Sequence, residues 1–216
     1  MGDRLRPLWD FDDLDASERR FREQLEHEAT DEGRAEVLTQ LARVNGLREQ
    51  FVEGDRLIAE AEGIAGERVL ARIRILLEGG RLRRSSGDPA RALPLFASAF
   101  DVANEAGEKF LAADAAHMAA LAAPDRQGML TWTDKGIKIA EGSADPQVSY
   151  WLGPLLNNLG SAYMESHEYE KALDCFQRAL EVRKRYPENP DAIQFAKESV
   201  AEALTALGRK DEGAAL

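Results

Sequence analysis

The stretch NNLGSAYMESHEYEKALDCFQRAL, residues 157–180, has the most regular pattern in the chain. Small and aromatic residues recur in it at helical spacing on both sides of a polar break. Gly160 precedes the break, and Ala172, Phe176 and Ala179 follow it on one helical face. Because small residues let two helix axes approach closely, the stretch predicts a tightly packed helical hairpin.

The same spacing recurs elsewhere in the chain. LARVNGLREQFVEGDRLIAEA covers residues 41–61, and GGRLRRSSGDPARALPLFASAF covers residues 79–100. A degenerate copy runs through residues 115–141, and a partial copy occupies residues 199–216. The equivalent positions, about 40 residues apart, are Ala42, Gly80, His117, Gly160 and Ala201. The quoted stretch is therefore one copy of about five.

These copies resemble the tetratricopeptide repeat, in its longer-period form similar to kinesin light chain and to the helical arrays of bacterial regulators. The resemblance implies an all-α fold, a right-handed superhelical solenoid of antiparallel helix hairpins with about ten helices. We expect one solenoid over residues 1–216. Its parts are a capping helix (1–30) that Trp9 helps to pin, four repeats (31–64, 65–106, 107–142 and 143–186) and an incomplete fifth (187–216).

Composition excludes several classes of function. The 216 residues carry a formal net charge of −11, which disfavours nonspecific binding to nucleic acid or to an anionic membrane. The single cysteine rules out an internal disulfide and a multi-thiolate metal site. No apolar run approaches membrane-spanning length, so a cytoplasmic protein without a membrane partner is the expectation.

Catalytic and metal-binding patterns are weak. The three histidines fall on different predicted hairpins, and no nucleophile stands beside a base. His117 and Asp114 have a spacing that could hold a metal, but such pairs are common on ordinary helices. The sequence therefore predicts no enzyme, no metal and no cofactor.

The resemblance implies that ligands lie along the first helices of the repeats. The positions that match the binding positions of the family include four arginines, Arg43, Arg74, Arg81 and Arg84. They are expected to pair with ligand carboxylates. In the fourth repeat, Asn157 and Asn158 are expected to hydrogen-bond an extended backbone beside Ser161 and Glu165.

Two outcomes stay open for the arginines. Either internal acids such as Glu36 and Glu78 neutralise them, or they stay free and capture an acidic ligand.

The function predicted from these features is a protein or peptide interaction module that binds an extended or helical segment of a partner in a groove. One alternative is a regulatory array that senses a signalling peptide or a small molecule. Another is a structural module that assembles, for example as a homodimer, through apolar surface at Leu204 and Leu207.

Overall fold

A computed structural model describes residues 3–213, and none of them lies in a β-strand. The all-α prediction is confirmed. A 3₁₀ turn (Arg6–Leu8) precedes the helices, whose bounds are α1 Leu14–His27, α2 Asp31–Leu47, α3 Phe51–Ala65, α4 Val69–Ser85, α5 Pro89–Glu105, α6 Lys109–Ala122, α7 Arg126–Glu141, α8 Pro146–Ser149, α9 Leu152–Glu165, α10 Tyr169–Arg183, α11 Pro190–Ala206 and α12 Lys210–Gly213.

Polar caps start several of these helices. Asp88 accepts a hydrogen bond from the Arg91 amide at 3.0 Å, and Pro89 occupies the first helical position. A proline there costs nothing because its missing N–H would be unpaired anyway. Pro154 lies in the first turn of α9, where a proline is tolerated, and α9 is separate from the short helix α8 that precedes it.

The chain divides into two compact units, residues 1–125 and 126–216. In the first unit α2 packs against α3 and α4, α4 against α5, and α5 against α6. In the second unit α9 packs against α7 and α10, and α10 against α11. The division falls inside the predicted third repeat (107–142), and the predicted repeat boundaries stay predictions.

Close helix approach holds the hairpins of both units together. A Cβ atom at Gly80 would lie 2.5 Å from Cε1 of Phe96, and one at Gly160 would lie 2.4 Å from Cε1 of Phe176. Both phenylalanines are buried, with 0% and 2% of their surface exposed. In each unit a glycine thus lets the two helices of a hairpin approach closely, and an aromatic ring sixteen positions later packs directly against it.

The sequence predicts an exposed apolar patch at Leu204 and Leu207, near the end of α11, and the structure differs from this prediction. Leu204 is 3% exposed because it packs with Leu173, Phe176 and Val200 inside the second unit. Leu207 is partly buried against the same cluster. The expected exposure was wrong for Leu204, and assembly through this end stays a prediction.

Candidate functional site

A cavity of about 170 Å³ in the first unit brings together three of the predicted arginines. The helices α2 and α4 pack side by side, and their residues 38 positions apart, such as Arg43 and Arg81, line the same wall. We call this space the arginine cavity, and its lining consists of Arg43, Gly46, Leu47, Arg81, Leu82, Arg84, Ser85 and Met118.

Arg81 is neutralised within the unit. Its guanidinium donates to Glu78 at 2.6 Å and to Asp114 at 2.5 Å. Burial opposes the charge, but these two carboxylates outweigh it and raise the pKa of Arg81 above its ordinary value. Internal acids therefore neutralise Arg81, which is the first of the two outcomes that the sequence left open.

Arg43 is compensated far more weakly. Its Nη1 atom lies 3.9 Å from Oε1 of Glu78, and its guanidinium stacks 5.1 Å from the ring of Trp9 and 5.3 Å from that of Phe11. Burial, and then repulsion from Arg81, lower the pKa of Arg43 to about 10. An additional anion near Arg43 would therefore stabilise its charged form.

Arg84 completes the positive charge of the cavity. Its side chain is exposed, and its Nε lies 3.4 Å from the backbone oxygen of Leu121. No carboxylate within residues 3–213 forms an ion pair with it. The three guanidinium groups of Arg43, Arg81 and Arg84 thus face two carboxylates, those of Glu78 and Asp114, which leaves one positive charge uncompensated.

Apolar side chains surround this charge. Leu47 lines the cavity and is 50% exposed, and Leu121, whose carbonyl contacts Arg84, is 39% exposed. Phe11, beside Arg43, is 44% exposed. Exposed apolar residues that cluster around polar groups mark binding surfaces more often than scattered ones do.

The fourth arginine, Arg74, lies outside the cavity and is only 3% exposed. Its Nη2 donates to Asp3 at 2.6 Å and its Nε donates to Glu36 at 2.9 Å. The chain segment that carries Asp3 covers this part of α2 and α4, where Leu5 is 1% exposed. Sequence reasoning missed this contact, because Asp3 and Arg74 are separated by 71 positions.

The other predicted site residues lie on α9 in the second unit. Asn157 and Asn158 are partly buried, whereas Ser161 and Glu165 are exposed. The Nδ2 atom of Asn158 is buried and has no hydrogen-bond partner among the described residues. Their role in binding a peptide backbone stays a prediction.

No cluster of metal-binding side chains is present in residues 3–213. Asp114, which the sequence paired with His117 as a candidate ligand, instead accepts a hydrogen bond from Arg81. Within the same range, every helix is too short or too polar to cross a lipid bilayer.

Comparisons with known proteins relate these hairpins to a repeat family. The tetratricopeptide repeat family model matches residues 154–186, which contain the Gly160–Phe176 contact. Among solved structures, BtubC (BKLC) from P. vanneervenii has a similar fold, with a TM-score of 0.73 and 16% sequence identity. The similarity covers 99% of this chain and 88% of that one. No curated protein matches the sequence.

Proposed function

Since the chain is a tetratricopeptide-like repeat protein, we propose that it is a protein-interaction module that binds an acidic segment of a partner at the arginine cavity. Repeats of this type generally mediate contacts between proteins, and the fold is typically a non-catalytic one. The regulatory-sensor and self-assembly alternatives stay predictions.

The observation that carries the proposal is the charge left over in the cavity. Arg43 and Arg84 share a wall with the neutralised Arg81, and the two acids of the site are already engaged with Arg81. A ligand carboxylate placed there would form charge-assisted hydrogen bonds without displacing an internal ion pair. The positive charge would also speed the encounter with an acidic segment.

The exposed apolar side chains near the cavity indicate which ligand residues should flank the ligand carboxylate. Leu47 in the lining and Leu121 beside Arg84 each expose more than a third of their surface. A ligand that placed leucine-sized side chains on them would bury apolar area, which contributes about 25 cal/mol per Å². The preferred segment therefore combines aspartate or glutamate with large apolar residues.

Selection of displayed decapeptides on the full chain tests this proposal. We expect the selected peptides to be enriched in acidic residues next to leucine, isoleucine or phenylalanine. The Arg84→Glu variant should bind them about 10- to 100-fold more weakly, because it removes one ligand partner and adds repulsion. Arg72→Glu is the matched control, since Arg72 is an exposed arginine on the same helix that does not line the cavity.

Both variants should keep the melting temperature of the natural chain, because exposed charges contribute less than about 1 kcal/mol to stability. Selected peptides without acidic residues, or peptides that bind the two variants equally, would refute the cavity as the site.

A further inference from the structure

The N-terminal segment Asp3–Phe11 lies on the same two helices as the arginine cavity. We call the surface that it covers the α2/α4 face, formed by Glu36, Gln40, Arg43 and Arg74. Asp3 binds Arg74 at 2.6 Å, and Nε1 of Trp9 donates to Oε1 of Gln40 at 2.9 Å. Arg4 reaches Glu36 at 3.2 Å, and the rings of Trp9 and Phe11 stack 4.8 Å apart over Arg43.

Side chains alone hold the segment on this face. The amides of Arg6, Leu8 and Trp9 bond to oxygens three residues earlier in the segment. Other backbone bonds of the segment go to α1, where Asp10 exchanges two hydrogen bonds with the Ser17 hydroxyl and the Leu8 carbonyl accepts one from Arg20. None of those described bonds reaches α2 or α4. The segment thus lies on the face as a bound peptide would, with an acid, a buried leucine and an aromatic residue as its anchors.

Arg43 joins this face to the arginine cavity. Its guanidinium contacts the aromatic rings of the segment on one side and approaches Glu78 of the cavity on the other. The two surfaces are therefore continuous along α2 and α4. A ligand longer than the cavity would meet the segment at Arg43.

We propose that the α2/α4 face is a second, self-occupied half of the binding surface, and that a partner segment displaces Asp3–Phe11 from it. The partner would present the same order of groups, namely a carboxylate for Arg74, then an apolar residue for the Leu5 position, then an aromatic residue for Gln40 and Arg43. This inference extends the proposed function, because it takes the cavity as the other half of the same surface.

Competition within the chain governs the affinity. A tethered segment has a local concentration in the millimolar range, so a partner binds only to the fraction of molecules in which the segment has left. The apparent dissociation constant is the intrinsic one divided by that fraction. Releasing the segment should therefore tighten binding.

A labelled peptide that copies residues 3–12, added to the full chain, tests this arrangement. Leu5→Asp should release the segment, because it places a charge where Leu5 is 1% exposed. We expect the released variant to bind the peptide at least about tenfold more tightly than the natural chain does. A peptide carrying Asp3→Asn should bind the released variant about tenfold more weakly, since it loses the charge-assisted contact with Arg74. A scrambled peptide is the control.

Trp9→Ala provides a second released variant in case Leu5→Asp prevents folding. The proposal is overturned if folded released variants fail to bind the peptide, or if the natural chain binds it equally well. Loss of cooperative melting in both variants would also overturn it, because the segment would then be an inseparable part of the core. Arg84 does not touch the segment, so Arg84→Glu should leave peptide binding unchanged even if the cavity proposal fails.

Discussion

The glycine–phenylalanine contact gives a quantitative test of the hairpin packing. In the first unit, a Cβ atom at Gly80 would lie 2.5, 2.7 and 3.0 Å from three ring atoms of Phe96, whereas ordinary contact begins at 3.4 Å. Phe96 is 0% exposed, so its ring cannot relieve the contact by moving out into solvent. Overpacking of this kind costs about 1–3 kcal/mol.

The Gly80→Ala substitution also has a favourable part. Alanine is preferred to glycine inside a helix by about 1 kcal/mol. The net effect is thus a loss of about 0–2 kcal/mol in the free energy of unfolding, measured by urea denaturation followed by circular dichroism. Gly63→Ala is the matched control in the same unit, because nothing lies within 4 Å of the added methyl group on α3.

Gly63→Ala should therefore stabilise the chain by about 0.5–1 kcal/mol. The double variant Gly80→Ala, Phe96→Leu should lose less stability than the sum of the two single variants, since the smaller side chain leaves room for the methyl group. If Gly80→Ala were as stable as Gly63→Ala, the packing argument would be wrong.

Two further predictions concern the first unit. Glu49 has a φ of 60°, a backbone conformation that costs a non-glycine residue about 1–2 kcal/mol, so Glu49→Gly should raise the melting temperature slightly and a fall would contradict it. Burial raises the pKa of Asp3, but the charge and hydrogen bonds of Arg74 outweigh it and hold the pKa below its ordinary value. An acid whose pKa is lower in the folded state stabilises the fold at any pH above its pKa in the unfolded state. This stabilisation is therefore present at pH 7 and is lost as the pH falls below about 4. Asp3→Asn should destabilise the chain at pH 7, and urea titrations should show this difference shrinking at lower pH.

Helical periodicity was sufficient to predict an all-α protein, and the resemblance to tetratricopeptide repeats implied how its hairpins are arranged. The small and aromatic positions of each hairpin are close in sequence, and their spacing directly reports which face of a helix is buried. The helix starts at Pro89, Pro146 and Pro190 follow equally local rules, because each proline comes after a side chain that caps the first turn.

Periodicity could not predict which arginines form ion pairs with acids of the same chain. Spacing placed Arg74, Arg81 and Arg84 on one stretch of helix, but their partners come from distant parts of the chain. Asp3 is 71 positions from Arg74, and Asp114 is 33 positions from Arg81. Only the packing of α2, α4 and α6, together with the N-terminal segment, shows which guanidinium groups are neutralised.

The ion-pair partners of each arginine determine which substitution gives an informative binding experiment. Arg81→Glu would place a third carboxylate beside Glu78 and Asp114, which are 2% and 4% exposed. Breaking a buried ion pair costs about 3–5 kcal/mol, so that variant would be strongly destabilised and its loss of binding would not identify the site. Arg84 lies one helical turn farther along α4, is exposed and has no ion pair among the described residues. Charge reversal at Arg84 therefore separates recognition from stability, which no change at Arg74 or Arg81 can do.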